Sequence, residues 1–285
     1  METFDAVVIG AGVIGAAVGL ELTRAGWKTL NVDMAPASGY GSTSGSCAII
    51  RTHYSTLEGA AFAYEGYHYW KKWADYLGAE DERGLAEFRE TGCVVMKTDA
   101  NRELAHVKAH MDALGIPYED LDLAGLKERL PYFDIQRFHP PKRPEDDGFG
   151  EPTGGVLPGG VYFPYAGYIT DPQLSAHNLQ RAAEAEGATF RFNRRVVSID
   201  KDGSGRVTGV TLDDGAKIAC KVVVNVAGPH SSKVNEMAGA TGDMKITTRA
   251  LKQEVVHVPM PVDAYDEIGM VTSDSDIACY TRPEK

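Results

Sequence analysis

The sequence predicts an α/β fold that begins with a parallel strand–helix–strand unit, and three observations near its start support that prediction. Residues 4–9 form a short apolar, β-branched run of the kind found in buried parallel strands. Glycines 10, 12 and 15 follow it directly, and apolar residues then recur at the spacing of one helix face as far as Gly26. A second apolar run, residues 29–32, ends at Asp33.

The glycine turn has the spacing Gly-x-Gly-x-x-Gly, which is typical of a dinucleotide site when a strand precedes it and a helix follows. Gly10 permits the tight turn, Gly12 lets the backbone approach a pyrophosphate, and Gly15 lets the helix pack on the strand. The helix N-terminus adds N–H donors and partial positive charge. Asp33 lies 23 residues after Gly10 (33 minus 10), where an acid accepts hydrogen bonds from an adenosine ribose. A glycine-rich turn in another α/β unit would leave Asp33 unexplained, and the fingerprint itself leaves NAD and FAD open.

The composition of the chain argues against several classes of protein. The 285 residues are 43% hydrophobic and 24% charged, which indicates a globular chain of about two domains. A net charge of −11 argues against a nucleic-acid partner, because such partners bind basic surfaces. We expect no membrane span and no signal peptide, and therefore a cytoplasmic protein. The four separated cysteines indicate reduced thiols, with no metal site and no disulfide framework.

A long loop rich in Gly, Ser and Thr, residues 34–56, follows the second predicted strand. Loops at this position in a nucleotide-binding fold are often functional, and small hydroxyl residues can wrap a phosphate and sugar chain. We expect a cofactor-wrapping role, with a flexible surface connection as the alternative. Arg51 follows two isoleucines and precedes the rings of His53 and Tyr54. Its guanidinium is either a solvated surface charge or a group that binds a substrate carboxylate through two hydrogen bonds.

Periodicity and turn residues predict the remaining elements. Helices are expected at 57–79, 101–115, 122–130 and 172–186, the last capped by Thr170 or Asp171. Strands are expected at 88–97, with a glycine interruption, and at 160–164, 189–192, 195–200, 207–212, 217–226 and 251–258. Phe62, Tyr69 and Trp73 recur at helical spacing, which predicts that they pack in the core.

Four motifs occur in one order: the glycine turn, the Ser/Gly loop ending in Ile-Ile-Arg, the sequence Tyr-Ile-Thr-Asp-Pro at 168–172, and Val-Val-Val-Asn-Val-Ala-Gly at 222–228. Together they resemble the D-amino-acid-oxidase-like family of FAD enzymes, and within it the sarcosine oxidase, dimethylglycine dehydrogenase and glycine oxidase branch. The resemblance implies FAD rather than NAD. It also implies a Rossmann-like FAD-binding domain, a parallel sheet plus a β-meander, interleaved with a mixed-sheet α+β substrate domain. The implied bounds are 1–90 and 160–232 for the FAD-binding domain, and 91–159 and 233–285 for the substrate domain.

The resemblance also implies residue roles. The expected cofactor-binding residues are Gly10, Gly12, Val13, Ile14 and Gly15 at the pyrophosphate, Asp33 and Met34 after the second strand, Ser42, Thr43, Ser44 and Cys47 in the wrapping loop, Val196 at the adenine, and Ala227 and Gly228 closing over the nucleotide. The expected catalytic residues are Arg51, which would pair with the substrate carboxylate, and His53 and Tyr54 near the flavin edge.

The implied activity is oxidation of the C–N bond of a small amino acid or N-methyl amino acid, such as sarcosine, by hydride transfer to flavin. Two differences between this sequence and members of the branch limit which activity the resemblance implies. Ser44-Gly45-Ser46 stands where dimethylglycine-type dehydrogenases carry a histidine bound covalently to FAD, so attachment through this stretch is not expected. Ala48 stands where monomeric sarcosine oxidases have a basic residue, which argues against a strict sarcosine oxidase.

Several questions stay open at this point. The family is longer than this chain, so we expect an N-terminal fragment or a truncated product. The electron acceptor is oxygen or a partner protein, and the oligomeric state is open. The alternatives to an active flavoenzyme are an inactive FAD-binding fragment, an NAD-dependent dehydrogenase and a non-enzymatic binding module.

Overall fold

The computed structural model describes residues 1–260, 262–263 and 265–284, and their contacts divide the chain into two compact units. Unit 1 comprises Met1–Ser46, Ala74–Glu87 and Asp171–Val256. Unit 2 comprises Cys47–Trp73, Phe88–Thr170 and His257–Lys285. Unit 2 thus contains residues 47–73, 88–90 and 160–170, which the resemblance implies for the FAD-binding domain, and unit 1 contains residues 233–256, which it implies for the substrate domain. Which ranges bind FAD and which bind substrate stays a prediction.

The described residues form strands of two to six residues and α-helices of four to fifteen residues. The strands are β1 (Glu2–Thr3), β2 (Ala6–Ile9), β3 (Thr29–Val32), β4 (Ile49–Ile50), β5 (Phe88–Arg89), β6 (Cys93–Met96), β7 (Glu119–Asp122), β8 (Gly159–Phe163), β9 (Gly167–Ile169), β10 (Thr189–Arg191), β11 (Val196–Lys201), β12 (Val207–Leu212), β13 (Lys217–Ala219), β14 (Val222–Asn225), β15 (Val271–Asp274) and β16 (Cys279–Thr281). The helices are α1 (Val13–Arg24), α2 (Leu57–Lys71), α3 (Trp73–Leu77), α4 (Ala105–Leu114), α5 (Leu123–Arg129), α6 (Pro172–Ala185), α7 (Ser231–Met237) and α8 (Tyr265–Ile268).

Unit 1 contains a parallel sheet and a β-meander, as the sequence predicts. The parallel sheet has the order β10-β3-β2-β14, and every residue of β2 and β3 is buried. The second sheet has the order β1-β13-β12-β11, with antiparallel pairing from β11 to β13. Helices α1 and α6 pack on each other, and Asp171 caps α6 by accepting a hydrogen bond from the Leu174 N–H at 2.8 Å. The α/β fold class is confirmed.

The predicted strand 217–226 is two strands in the structure. Residues Cys220 and Lys221 separate β13, which pairs in the meander, from β14, which pairs with β2 in the parallel sheet. A single apolar run was therefore shared between two sheets, which its periodicity alone could not reveal.

Unit 2 contains a mixed five-stranded sheet and a small antiparallel one. The first has the order β16-β15-β6-β8-β7, with β15 parallel to β6 and the other pairs antiparallel. The second has the order β4-β9-β5. The strand predicted at 88–97 with a glycine interruption is confirmed, because Gly92, with a φ of +73°, lies between β5 and β6.

Residues 57–79 are helical as predicted, but the expected burial of their aromatic stripe is wrong in part. The helix predicted at 57–79 is divided into α2 and α3, and the proposed core stripe is only partly buried, since Phe62 is 81% exposed and Trp73 is 7% exposed. Tyr67 is the buried aromatic residue of α2, and its ring stacks on Tyr165 with centroids 5.0 Å apart. Helical spacing identified the element but not which face is covered.

The strand predicted at 251–258 is also wrong. These residues are exposed and belong to no strand, although apolar Leu251, Val256 and Val258 are among them. Apolar alternation makes a strand only when a neighbouring strand pairs with it. Among the described residues, no helix combines the length and apolar composition needed to cross a bilayer.

Candidate cofactor and substrate sites

The glycine turn between β2 and α1 is closed so tightly that no side chain fits at Gly10 or Gly15. Gly10 has a φ of +121°, and a Cβ there would lie 2.9 Å from the carbonyl carbon of Val226. A Cβ on Gly15 would lie 2.8 Å from the carbonyl carbon of Gly10. Real Cβ atoms essentially never approach other atoms within 3.0 Å, so both positions require glycine. The turn therefore brings the N-terminus of α1 to the carboxyl end of β2, where phosphates bind in such folds.

Asp33 is held in place at the end of β3 by two backbone donors. Its Oδ2 accepts from the Ala11 N–H at 2.7 Å, and its Oδ1 accepts from the Ala35 N–H at 2.8 Å. A carboxylate oxygen has a further lone pair, so both oxygens can still accept from ribose hydroxyls.

The loop after β3 lies against the glycine turn through backbone and hydroxyl contacts. The Gly39 N–H donates to the Ala11 carbonyl at 2.9 Å, and Thr43 Oγ1 accepts from the Val13 N–H at 3.1 Å. Thr43 thereby satisfies one of the amides that the first turn of a helix leaves without an intrahelical partner. Ser42 and Ser44 are exposed on either side of it. The expected wrapping loop thus touches the expected phosphate site.

The other expected cofactor residues of unit 1 differ in their exposure and in their distance from the glycine turn. Ile14 and Met34 are 68% and 56% exposed, so both are apolar side chains open to a ligand. Ala227 follows β14, and its amide nitrogen would lie 3.4 Å from a Cβ on Gly10, so it adjoins the turn; Gly228 is exposed beyond it. Val196 is buried in β11 and belongs to the same hydrophobic cluster as Ile9 and Val32, the last residues of β2 and β3.

These features fit a dinucleotide. The turn leaves no room for side chains at Gly10 and Gly15, α1 presents its N-terminal amides, and a fixed carboxylate lies at the end of the neighbouring strand. Two buried residues of this region, Asn31 and Ser38, were not identified from the sequence. Asn31 could have been recognised as the polar interruption of the apolar run 29–32.

Unit 2 brings the three expected catalytic residues together. The Arg51 guanidinium lies over the Tyr54 ring, 4.7 Å from its centroid, and among the described residues no carboxylate lies within ion-pair distance of it. His53 is 6% exposed and stacks on Phe163 with ring centroids 4.2 Å apart. Burial, with the Arg51 charge adding to it, lowers the pKa of His53 to about 3. Cys47, the first residue of unit 2, is half-buried.

A cluster of possible metal ligands lies elsewhere in unit 1, at Asp81, Glu82 and His177. Its members are already engaged. Asp81 Oδ2 accepts from Asn178 Nδ2 and lies 2.7 Å from His177 Nδ1, and the Arg181 guanidinium is paired with Glu82. The arrangement fastens this segment to α6, and a guanidinium at Glu82 opposes a cation. The absence of a metal site stays a prediction.

Comparisons with known proteins agree with this geometry. The family profile described as FAD dependent oxidoreductase (DAO) matches residues 5–285. N-methyl-L-tryptophan oxidase from Yersinia pestis (strain Pestoides F) is 28% identical over 222 residues, which is 78% of this chain and 53% of the relative. The chain thus spans about half the length of the curated relatives it matches.

Solved structures share the fold. L-proline dehydrogenase from P. horikoshii matches with a TM-score of 0.68 at 20% identity, over 84% of this chain and 57% of that one. Glycine oxidase from Geobacillus kaustophilus matches with a TM-score of 0.65 at 20% identity, over 84% of this chain and 59% of that one. The profile spans nearly the whole sequence and decides between the two dinucleotides that the fingerprint left open, so the chain belongs to the DAO family of FAD-dependent oxidoreductases.

Proposed function

We propose that this chain binds FAD and the carboxylate of a small amino acid or N-methyl amino acid whose C–N bond is oxidised. Family membership and the relative named N-methyl-L-tryptophan oxidase support the proposal. FAD, when bound, supplies the acceptor for the hydride. The residues that would hold it are the glycine turn, Asp33 and the Thr43 loop.

The observation that carries the proposal is the state of Arg51. It is an exposed guanidinium, and no carboxylate among the described residues pairs with it. Its position over the Tyr54 ring restricts its orientation through a cation–π contact. A planar, restrained guanidinium is suited to bind a carboxylate through two parallel hydrogen bonds. Arg51 would therefore hold the carboxylate of an amino-acid substrate, with Tyr54 as its support.

His53 has a different part in this arrangement. Because its pKa is lowered to about 3, the imidazole is neutral at neutral pH and adds no second positive charge beside Arg51. Its ring is buried against Phe163, and this packing would hold the backbone around Arg51 in place. An amine that binds in its neutral form needs no side-chain base, so His53 would be a supporting residue in the reaction.

The test is the substrate dependence of Arg51 variants. Arg51→Ala should raise the KM for sarcosine, proline or N-methyl-L-tryptophan about 10- to 100-fold, since a hydrogen bond to a charged group contributes about 1.5–3 kcal/mol. Arg51→Lys should have a KM between those of wild type and Arg51→Ala, because lysine keeps the positive charge but cannot form two parallel hydrogen bonds with a carboxylate. Arg143→Ala, which removes another exposed arginine of unit 2, is the matched control. An Arg51→Ala enzyme with the wild-type KM would refute the assigned role.

A second candidate is FAD binding without turnover. It predicts a yellow protein whose absorbance no amino acid bleaches under anaerobic conditions. The cytoplasmic location, an electron-acceptor protein and an oligomeric assembly stay predictions.

A further inference from the structure

Asn31 is a fully buried polar residue in the middle of β3, and it binds both ends of the glycine turn. Its Nδ2 donates to the Gly15 carbonyl at 2.8 Å and to the Gly10 carbonyl at 3.3 Å. Both partners are acceptors, so only the nitrogen end of the amide can face them. One side chain thus ties the start of the turn to the first turn of α1.

The contact with Gly10 determines which way the next amide points. In a planar trans peptide, the C=O of one residue and the N–H of the next point in opposite directions. With the Gly10 carbonyl directed at Asn31, the Ala11 N–H is directed away from it, and this N–H donates to Asp33 Oδ2 at 2.7 Å. Asn31 is therefore connected through one peptide group to the carboxylate expected to bind the ribose.

A buried amide at position 31 destabilises β3 if the only role of the strand is to pack in the hydrophobic core. Asn31 Oδ1 is buried and has no hydrogen-bond partner among the described residues. A Cβ on Gly19 would lie 3.2 Å from Asn31 Cγ and closer still to Oδ1, so α1 accommodates this amide only with glycine opposite it. An apolar residue would avoid the cost of an unpaired buried carbonyl.

We propose that Asn31 is a positioning residue for the cofactor, which sets the Gly10–Ala11 peptide and the N-terminus of α1 in the orientation that binds FAD. The inference rests on the FAD-binding part of the proposed function. It concerns how the turn is held, and it does not depend on which substrate is oxidised.

The experiment compares Asn31→Leu and Asn31→Asp with Thr29→Val. Thr29 is the matched control because it is buried two residues away on the same face of β3, and its hydroxyl lies 2.8 Å from that of Thr23 on α1. Thr29→Val removes a strand–helix hydrogen bond without touching the glycine turn. For each variant the FAD dissociation constant, the melting temperature of the FAD-free protein and the hydrogen exchange of the Ala11 amide are measured.

Asn31→Leu should weaken FAD binding at least tenfold, which corresponds to about 1.4 kcal/mol, and should speed exchange at Ala11. Thr29→Val should lower the melting temperature with FAD affinity within twofold of wild type. Asn31→Asp should bind FAD weakly at pH 8 and recover as the pH falls, because a protonated carboxyl can donate to the Gly15 carbonyl as the amide does.

The failures are distinguishable. Asn31→Leu with wild-type FAD affinity and wild-type Ala11 exchange would overturn the inference, and so would an equal loss of affinity in Thr29→Val, since the role would then be structural only. If the unsubstituted chain binds no FAD, the proposed function fails. The hydrogen-exchange rates of the Ala11 amide then decide whether Asn31 is a positioning residue. Faster exchange in Asn31→Leu than in Thr29→Val supports that role, and equal rates overturn it.

Discussion

Replacing Gly15 by alanine tests the close packing of α1 on β2 most directly. The added methyl would lie 2.8 Å from the carbonyl carbon of Gly10, closer still to its oxygen, and 3.2 Å from Val226 Cγ2. Ordinary contact begins at 3.4 Å, so the helix start must move by at least 0.6 Å (3.4 minus 2.8 Å). Overpacking of this kind destabilises by about 1–3 kcal/mol. The move would also displace the N-terminal amides of α1 from the phosphate position, so FAD affinity should fall together with stability.

The assay is urea unfolding followed by circular dichroism, with FAD titration of the same preparations. Gly66→Ala is the control, because Gly66 lies within α2 and a Cβ there would meet nothing within 4 Å. Alanine has the higher helix propensity, so this control should be more stable than wild type by about 0.5–1 kcal/mol. If Gly15→Ala unfolds at the wild-type urea midpoint, α1 and β2 do not approach each other as the structure shows.

Three further predictions use other parts of the chain. Asp171→Ala should lower the free energy of unfolding by about 1 kcal/mol through loss of the α6 cap, and Asp171→Asn should retain most of it; equal losses would contradict the cap. The pKa of His53 falls from 6.5 in the unfolded chain to about 3 in the folded one. The stability that depends on neutral His53 is therefore complete above pH 6.5 and is lost as the pH falls toward 3. Urea unfolding at each pH should show a less steep loss of stability in His53→Leu than in wild type. Trypsin should cut first at Lys245 or Arg249, since residues 241–260 are exposed and outside regular structure, and mass spectrometry of the first fragments would show any earlier site.

The nucleotide-binding unit could be predicted closely because its signals are local. Glycine spacing, the run before it and the acid after it lie within the first 33 residues, and Gly15 and Asp33 meet groups of this same segment, the Gly10 carbonyl and the Ala11 N–H. The loop that contains Thr43 was predicted to lie at the glycine turn from a local signal too, because its composition differs from that of the strands around it, and its cofactor role stays a prediction.

The errors arose where tertiary pairing decides the outcome. The run 217–226 was divided between two sheets, and residues 251–258 have strand composition without a strand to pair with. Phe62 fits a helical stripe and is nevertheless exposed. Asn31 shows the converse case, because its function depends on two carbonyls that only the folded turn brings within reach. Contacts between residues distant in sequence cannot be derived from periodicity.

The measurement that tests the central claim is the visible absorption spectrum of the chain purified without added cofactor, then repeated after FAD is added and the excess removed. A flavin spectrum in stoichiometric amount, diminished in Gly15→Ala and retained in Gly66→Ala, would show that the glycine turn of this chain binds FAD. A protein that remains colourless even after reconstitution, while circular dichroism shows it folded, would contradict the claim that these residues form a working FAD site.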